Sequence, residues 1–126
     1  MIFDTDVLIW ASRGNSSAAR TIDAARDRAV SLISFMELLQ GARSKLEARQ
    51  IQRSLVELQF KILPLSELIG SAAVSIIEQH TLAHGIQVAD ALIAATAIQS
   101  GQPLCTANTK HFRAIGGLSL IGFRPH

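Results

Sequence analysis

The chain has 126 residues, a single cysteine and a formal net charge of +2, and 48% of its residues are hydrophobic. This length predicts one domain, residues 1–126, with its own core. The lone cysteine excludes an internal disulfide or a thiolate metal cluster and fits a cytoplasmic protein. No apolar stretch approaches the ~18 residues of a membrane span, and no basic N-terminal segment indicates a signal peptide. The mean hydropathy of +0.29 predicts either a thoroughly apolar core or an exposed apolar patch for a partner.

Short apolar runs predict five β-strands in chain order, each bounded by turn or helix-start residues. They cover Met1–Phe3, Ala29–Ile33, Phe60–Leu63, Leu104–Thr106 and Leu118–Ile121. Because helical patterns separate these runs, the sequence predicts an α/β domain with a mostly parallel sheet.

Capping residues and apolar residues at helical spacing predict the helices between the strands. They are expected near Val7–Ala11, from Ser17 to about Asp27, from Ser34 to Gly41, across Leu46–Phe60, from Ser66 to Gly85 and across Ala89–Gln99. The last of these is rich in alanine and apolar nearly all round, so we expect it to be buried against the sheet.

Three of the ten acidic residues stand where a parallel sheet would bring them together. Asp4 ends the first strand, Glu37 follows the second, and Asp90 begins the alanine-rich helix. Strand C-termini and the helix N-termini that follow them line one edge of such a sheet. Each acid also has a purely structural explanation, as a helix cap for Asp4, as a capping box of Ser34 with Glu37, and as a helix-dipole charge for Asp90.

The three acids together predict a metal site, because converging carboxylates repel one another without a cation. Carboxylate oxygens without histidine or cysteine suit Mg²⁺ or Mn²⁺, and such a site can hydrolyse phosphodiester bonds. A fourth polar segment, Leu104–Phe112, follows the fourth strand at the same predicted edge. Its Thr106 and Asn108 can hydrogen-bond to metal-bound water, although, taken alone, the segment is more simply explained as a turn before a short helix.

Four motifs in this order resemble the PIN-domain family, and most closely the VapC-type toxins. They are Asp4-Thr5-Asp6-Val7, Ser34–Gly41, Asp90–Ala97 and Thr106–Phe112. The resemblance implies a three-layer α/β/α fold, Mg²⁺ or Mn²⁺, endonucleolytic cleavage of RNA, homodimerisation and neutralisation by a cognate antitoxin. It makes Asp4, Glu37 and Asp90 the metal-site acids, with Asp4 and Asp90 as the direct ligands.

The sequence departs from the family pattern in two motifs. Asp6 stands where asparagine or serine is common, and Asn108 and His111 stand where the fourth motif often supplies a carboxylate. A second metal ion is therefore less well supported than the first. Five basic residues that follow the motifs would suit a polyanion; they are Arg13, Arg43, Lys45, Lys110 and Arg113.

Two alternatives remain at this point. Asp4 and Asp6 form the spaced aspartate pair of a haloacid-dehalogenase-like phosphatase, but Leu8 and the absence of a Gly-Asp motif argue against it. The other is a PIN-like module that binds RNA or a partner without cutting. His80 and His84 lack the pattern of a zinc site and are expected at the surface, and Trp10 is expected in packing.

Overall fold

A computed structural model describes residues 1–126 of the chain. It contains five strands and seven helices in alternation. They are β1 Ile2–Phe3, α1 Thr5–Ser12, α2 Ser16–Ala24, β2 Arg28–Ser31, α3 Leu32–Gln40, α4 Lys45–Glu57, β3 Phe60–Leu63, α5 Glu67–His84, α6 Val88–Ser100, β4 Leu104–Thr106, α7 Thr109–Phe112 and β5 Leu120–Gly122. The predicted α/β class is confirmed, and so are the ranges of β3 and β4.

All five strands form one parallel sheet in the order β3-β2-β1-β4-β5. Residue Ile2 of β1 pairs with Ala29 of β2 on one side and with Leu104 of β4 on the other. The chain therefore leaves β1 toward one half of the sheet and returns beside it with β4. This reversal of strand order is where parallel α/β proteins form a crevice at the carboxyl ends of their strands.

Two hydrophobic cores lie on opposite faces of the sheet, because neighbouring strand residues point to opposite sides. Ile2 packs with α5 and α6, whereas Phe3 packs with α1 and α2. The middle of helix α6 is buried, from Ala91 to Ala97 with the exception of half-buried Leu92, as its alanine-rich sequence predicts. Helix α3 contacts helices of both layers, namely α1, α4 and α6. The result is the expected three-layer α/β/α arrangement.

Several predicted helix boundaries are wrong by a few residues. Helix α2 is capped by Asn15, whose side chain accepts from the backbone N–H of Ala18, and it ends at Ala24 rather than near Asp27. Helix α4 ends at Glu57. The chain then reverses through Gln59, which has a φ of 58°, before β3.

The predicted start of α3 at Ser34 is also wrong. Ser31 caps this helix, and its hydroxyl accepts from the backbone N–H of Ser34 at 3.0 Å. Ser34 is therefore a buried residue of the first turn, and Glu37 lies in the second turn, so the two do not form a capping box. Strand β2 correspondingly ends at Ser31 instead of Ile33. None of the helices has the length and hydrophobicity needed to cross a membrane.

Candidate active site

The carboxyl ends of β1 and β4 meet at the centre of the sheet and carry the most deeply buried acid. Asp4 follows β1 directly, caps α1 and is only 8% exposed. Its Oδ1 accepts from the backbone N–H of Thr5 at 2.8 Å, and its Oδ2 accepts from the hydroxyl of Thr106 at 2.8 Å. The predicted capping role of Asp4 is thus confirmed, and it leaves the carboxylate at the crevice.

Asp4 lies in an environment that disfavours its negative charge. Burial, and next the negative charge of Asp6, raise the pKa of Asp4 to about 6, with a smaller contribution from Asp90. The hydrogen bonds from Thr106 and Thr5 act in the opposite direction but do not balance burial and repulsion. The contribution of Asp90 agrees with the expectation that α6 begins near the same edge of the sheet.

Asp6 lies beside Asp4 in the candidate site, and sequence reasoning assigned it no role in a metal site. Its Oδ2 accepts from the backbone N–H of Ala107 at 3.1 Å, which ties α1 to the loop after β4. Its Oδ1 is buried and has no hydrogen-bond partner, and burial raises the pKa of the carboxyl group. The spacing of two residues from Asp4 was the available signal, because the first turn of α1 brings both side chains to the end of β1.

Glu37 reaches the site from the second turn of α3 and is held by Thr5. The Thr5 hydroxyl oxygen lies 2.8 Å from both Glu37 Oε1 and Ser34 Oγ. A carboxylate only accepts, so the single Thr5 proton goes to Glu37 and the Ser34 hydroxyl donates to Thr5. Since Ser34 is completely buried, this chain of hydroxyl groups fixes Glu37 relative to α1.

Asp90 lies in the first turn of α6 and is bound to a histidine. His111 Nε2 is 2.7 Å from Asp90 Oδ2, and each side chain is 25% exposed. The same oxygen accepts a longer, 3.3 Å bond from the backbone N–H of Gln87. Sequence reasoning assigned no role to His111, because 21 residues separate it from Asp90 and neither residue type by itself indicates the pairing.

The remaining polar candidates lie at the periphery. Asn108 is exposed and its side chain makes no capping hydrogen bond at the start of α7, although its backbone N–H donates to the Thr106 hydroxyl at 3.0 Å. His80 is half-buried and His84 is exposed. Trp10 packs at the edge of one core, beside the C-terminal residue.

No lysine or arginine neutralises the acids of the candidate site. The chain contains an ion pair between Arg43 and Glu47 and the His111–Asp90 contact, but no lysine or arginine pairs with an acid of the site. No three acidic, histidine or cysteine side chains lie close enough to enclose a metal ion in this arrangement. The donors are nevertheless carboxylate oxygens, which suit Mg²⁺ or Mn²⁺, and one of them, Asp6 Oδ1, is buried without a partner.

Cys105 adds no ligand to this set. Burial and the charges of Asp6 and Asp4 raise the pKa of its thiol to about 11, so it stays protonated at neutral pH. The fold and site together define a three-layer α/β/α protein with acidic residues at the strand-order reversal of a parallel sheet.

Comparison with known proteins gives the family. The PIN domain family model matches residues 1–118, and the chain belongs to the PIN-domain family. Ribonuclease VapC10 of Mycobacterium tuberculosis is 34% identical over 116 residues, which cover 89% of this chain and 85% of that protein. This family membership argues against the haloacid-dehalogenase-like phosphatase that Asp4 and Asp6 had left open.

Solved structures share the fold over nearly the whole chain. A toxin–antitoxin complex from Klebsiella pneumoniae contains a chain that superposes with a TM-score of 0.81 and 29% identity, covering 99% of this chain and 97% of that one. VapBC2 from Rickettsia felis, bound to a DNA fragment from its promoter, gives a TM-score of 0.79 and 26% identity, with 98% and 100% covered.

Proposed function

We propose that this protein is a divalent-metal-dependent endoribonuclease and the toxin of a toxin–antitoxin pair. The observation that carries the proposal is the group of acids around Asp4, whose pKa is raised to about 6 by burial and by Asp6 and which no lysine or arginine neutralises. A cation would offset this repulsion. The name of the Mycobacterium relative, a ribonuclease, indicates the same activity.

Within this proposal, Asp4 and Asp90 hold Mg²⁺ or Mn²⁺ directly and Glu37 completes the acidic set. The bound cation would activate water and stabilise the negative charge that develops on the phosphate. The residues of the chain supply orientation: Thr106 holds one oxygen of Asp4, and Thr5 holds Glu37. The amide of exposed Asn108 would orient a metal-bound water molecule and would add no charge to the site.

The surface is compatible with a polyanionic substrate. The five basic residues that follow the motifs are all exposed, and only one of them is paired with an acid, in the Arg43–Glu47 ion pair. Exposed positive charges attract the phosphate backbone of RNA, with an affinity that decreases as salt is added. These residues supply charge for such binding, and groove shape would select the sequence that is cut.

The partner proposal rests on the structural relatives and on exposed apolar residues. The Klebsiella relative comes from a toxin–antitoxin complex, and on α4 of this chain Leu46 and Val56 are 64% and 77% exposed. An amphipathic segment of an antitoxin could cover such residues. We propose a cytoplasmic homodimer that binds its antitoxin in this way.

The function is tested by incubating the purified protein with structured RNA and with single-stranded DNA of the same sequence. We expect cleavage of RNA at internal positions with Mg²⁺ or Mn²⁺ and none with EDTA. Binding of RNA without cleavage under every metal condition would instead support the non-catalytic module. Cleavage that is unaffected by EDTA would contradict the metal proposal.

Removing the Thr5 hydroxyl is expected to lower activity without removing any acid. In Thr5→Val, Glu37 loses its donor, and losses of such supporting hydrogen bonds typically reduce metal affinity or activity by about 10–100-fold. The buried Ser34 hydroxyl also loses its partner, so we expect a destabilisation of about 1–3 kcal/mol. Cleavage rates and thermal unfolding measure the two effects.

Thr5→Ser is the matched control, because it keeps the hydroxyl and removes only the methyl group. We expect it to retain most of the activity. If Thr5→Val and Thr5→Ser have equal cleavage rates, the hydroxyl does not position Glu37.

A further inference from the structure

We propose that His111 is a positioning residue for Asp90: its Nε2–H holds one carboxylate oxygen of Asp90 so that the other faces the cation. This inference rests on the proposed metal-dependent function. The fourth motif would then contribute two side chains to the site: His111, which positions Asp90, and exposed Asn108, which orients water.

The geometry around Asp90 separates its two oxygens. Oδ2 receives both hydrogen bonds that reach the side chain, from His111 Nε2 at 2.7 Å and from the Gln87 backbone at 3.3 Å. No group of the chain donates to Oδ1. A carboxylate that is fixed through one oxygen cannot rotate freely, so its other oxygen is presented in one direction.

The direction of the hydrogen bond follows from the chemistry of the pair. An ionised carboxylate only accepts, so the His111 nitrogen facing it carries the proton. Both the neutral Nε2–H tautomer and the imidazolium ion supply this donor. The positioning effect therefore does not depend on whether His111 is charged.

The histidine itself is held firmly enough to act in this way. Its neighbour Phe112 is 1% exposed and belongs to the core formed with α5 and α6. The His111 ring meets the Phe112 ring edge-on, with centroids 5.5 Å apart and an interplanar angle of 83°. Through this anchor, α7 connects the end of β4 to the start of α6.

The test compares three variants with the wild-type protein by titration calorimetry with Mn²⁺. In His111→Phe the ring shape is kept and the donor is lost, and we expect Mn²⁺ affinity to fall by about 10–100-fold, the usual effect of removing a hydrogen bond to a metal ligand. His111→Gln carries an amide N–H that can reach Asp90, and we expect it to recover most of that affinity. His84→Phe, the same change at an exposed histidine of α5, should leave it unchanged.

A measurement without metal tests the contact independently. In the EDTA-treated wild-type protein, nitrogen-15 NMR of the imidazoles should show His111 protonated at Nε2. The Asp90→Asn variant should shift that signal, and Asp23→Asn should not. If His111→Phe fails to fold, this spectrum and the affinity of His111→Gln still decide the question.

The possible failures are distinguishable. A wild-type protein that cleaves RNA with Mn²⁺, beside a folded His111→Phe variant of equal affinity, overturns the positioning role and leaves the proposed function intact. An unprotonated Nε2, or a signal insensitive to Asp90→Asn, overturns it as well. A wild-type protein that neither binds Mn²⁺ nor cleaves RNA overturns the proposed function, and the inference about the cation with it.

Discussion

Asp4→Asn is expected to reduce RNA cleavage by at least about 10²-fold, the usual scale for removing one preorganised electrostatic group from an active site. At the same time it should stabilise the protein in EDTA at neutral pH. The asparagine keeps an oxygen that accepts from the Thr5 backbone, and its amide can donate to the Thr106 hydroxyl. The charge that burial and Asp6 disfavour is removed.

The pH dependence of this stabilisation follows from the raised pKa of Asp4, about 6 compared with 3.8 for a free aspartate. Between these values the folded protein binds more protons than the unfolded chain, so wild-type stability decreases as pH rises through this window. Above pH 6 the full cost is present, on the order of 2–3 kcal/mol for a shift of this size. Well below pH 3.8 Asp4 is protonated in both states and the cost disappears.

Urea unfolding of wild type and Asp4→Asn in EDTA at pH 4 and pH 7.5 measures the effect. We expect the variant to be more stable at pH 7.5 and to lose most of that advantage at pH 4. Asp23→Asn, the same change at an exposed aspartate, should show no difference at either pH. A variant that cleaves RNA at the wild-type rate would remove Asp4 from the catalytic group.

Asp90→Asn is expected to reduce RNA cleavage as strongly as Asp4→Asn does, and also to abolish measurable Mn²⁺ binding. The asparagine oxygen can still accept from His111, so the contact between α6 and α7 survives. Loss of a negative charge in the first turn of α6 costs only about 0.3–1 kcal/mol of helix-dipole stabilisation. The variant should therefore be folded and inactive.

Calorimetric titration with Mn²⁺, thermal unfolding and cleavage assays separate these effects. Asp27→Asn, at an exposed position after α2, serves as the matched control and should behave as wild type. Normal Mn²⁺ affinity in folded Asp90→Asn would show that the cation, if bound, is held by the other acids. Cleavage of RNA by the variant at the wild-type rate would count against any role of Asp90.

The sequence pattern predicted much of this architecture, because strands and helices depend mainly on residues that are close together in the chain. Short apolar runs separated by helical periodicity determine an α/β chain, and β3 and β4 have the predicted bounds. Parallel strands end at one edge, so Asp4 could be placed beside the segment containing Thr106 from the sequence alone. The order of the acidic motifs along the chain likewise indicates the PIN-domain family, and this order can be read from the sequence without any knowledge of long-range contacts.

Tertiary structure decided between residues that the sequence alone cannot distinguish. Ser31 and Ser34 can both cap a helix, and only the end of β2 selects Ser31 as the cap and buries Ser34. The residues next to Asp6 in the chain do not determine whether its Oδ1 faces solvent or protein. The burial of this oxygen without a partner depends on the fold, which places the loop after β4 beside Asp6.

The contacts that orient the proposed site join residues far apart in the chain. Thr5 and Glu37 are 32 residues apart, and Asp90 and His111 are 21 apart. Sequence periodicity reports on neighbours within a helix turn or a strand, and it carries no information on pairs at these separations. The sequence by itself therefore predicted Asp4, Glu37 and Asp90 as the acids of the proposed site, and the packing of α1, α3, α6 and α7 around the sheet decided which side chains hold them.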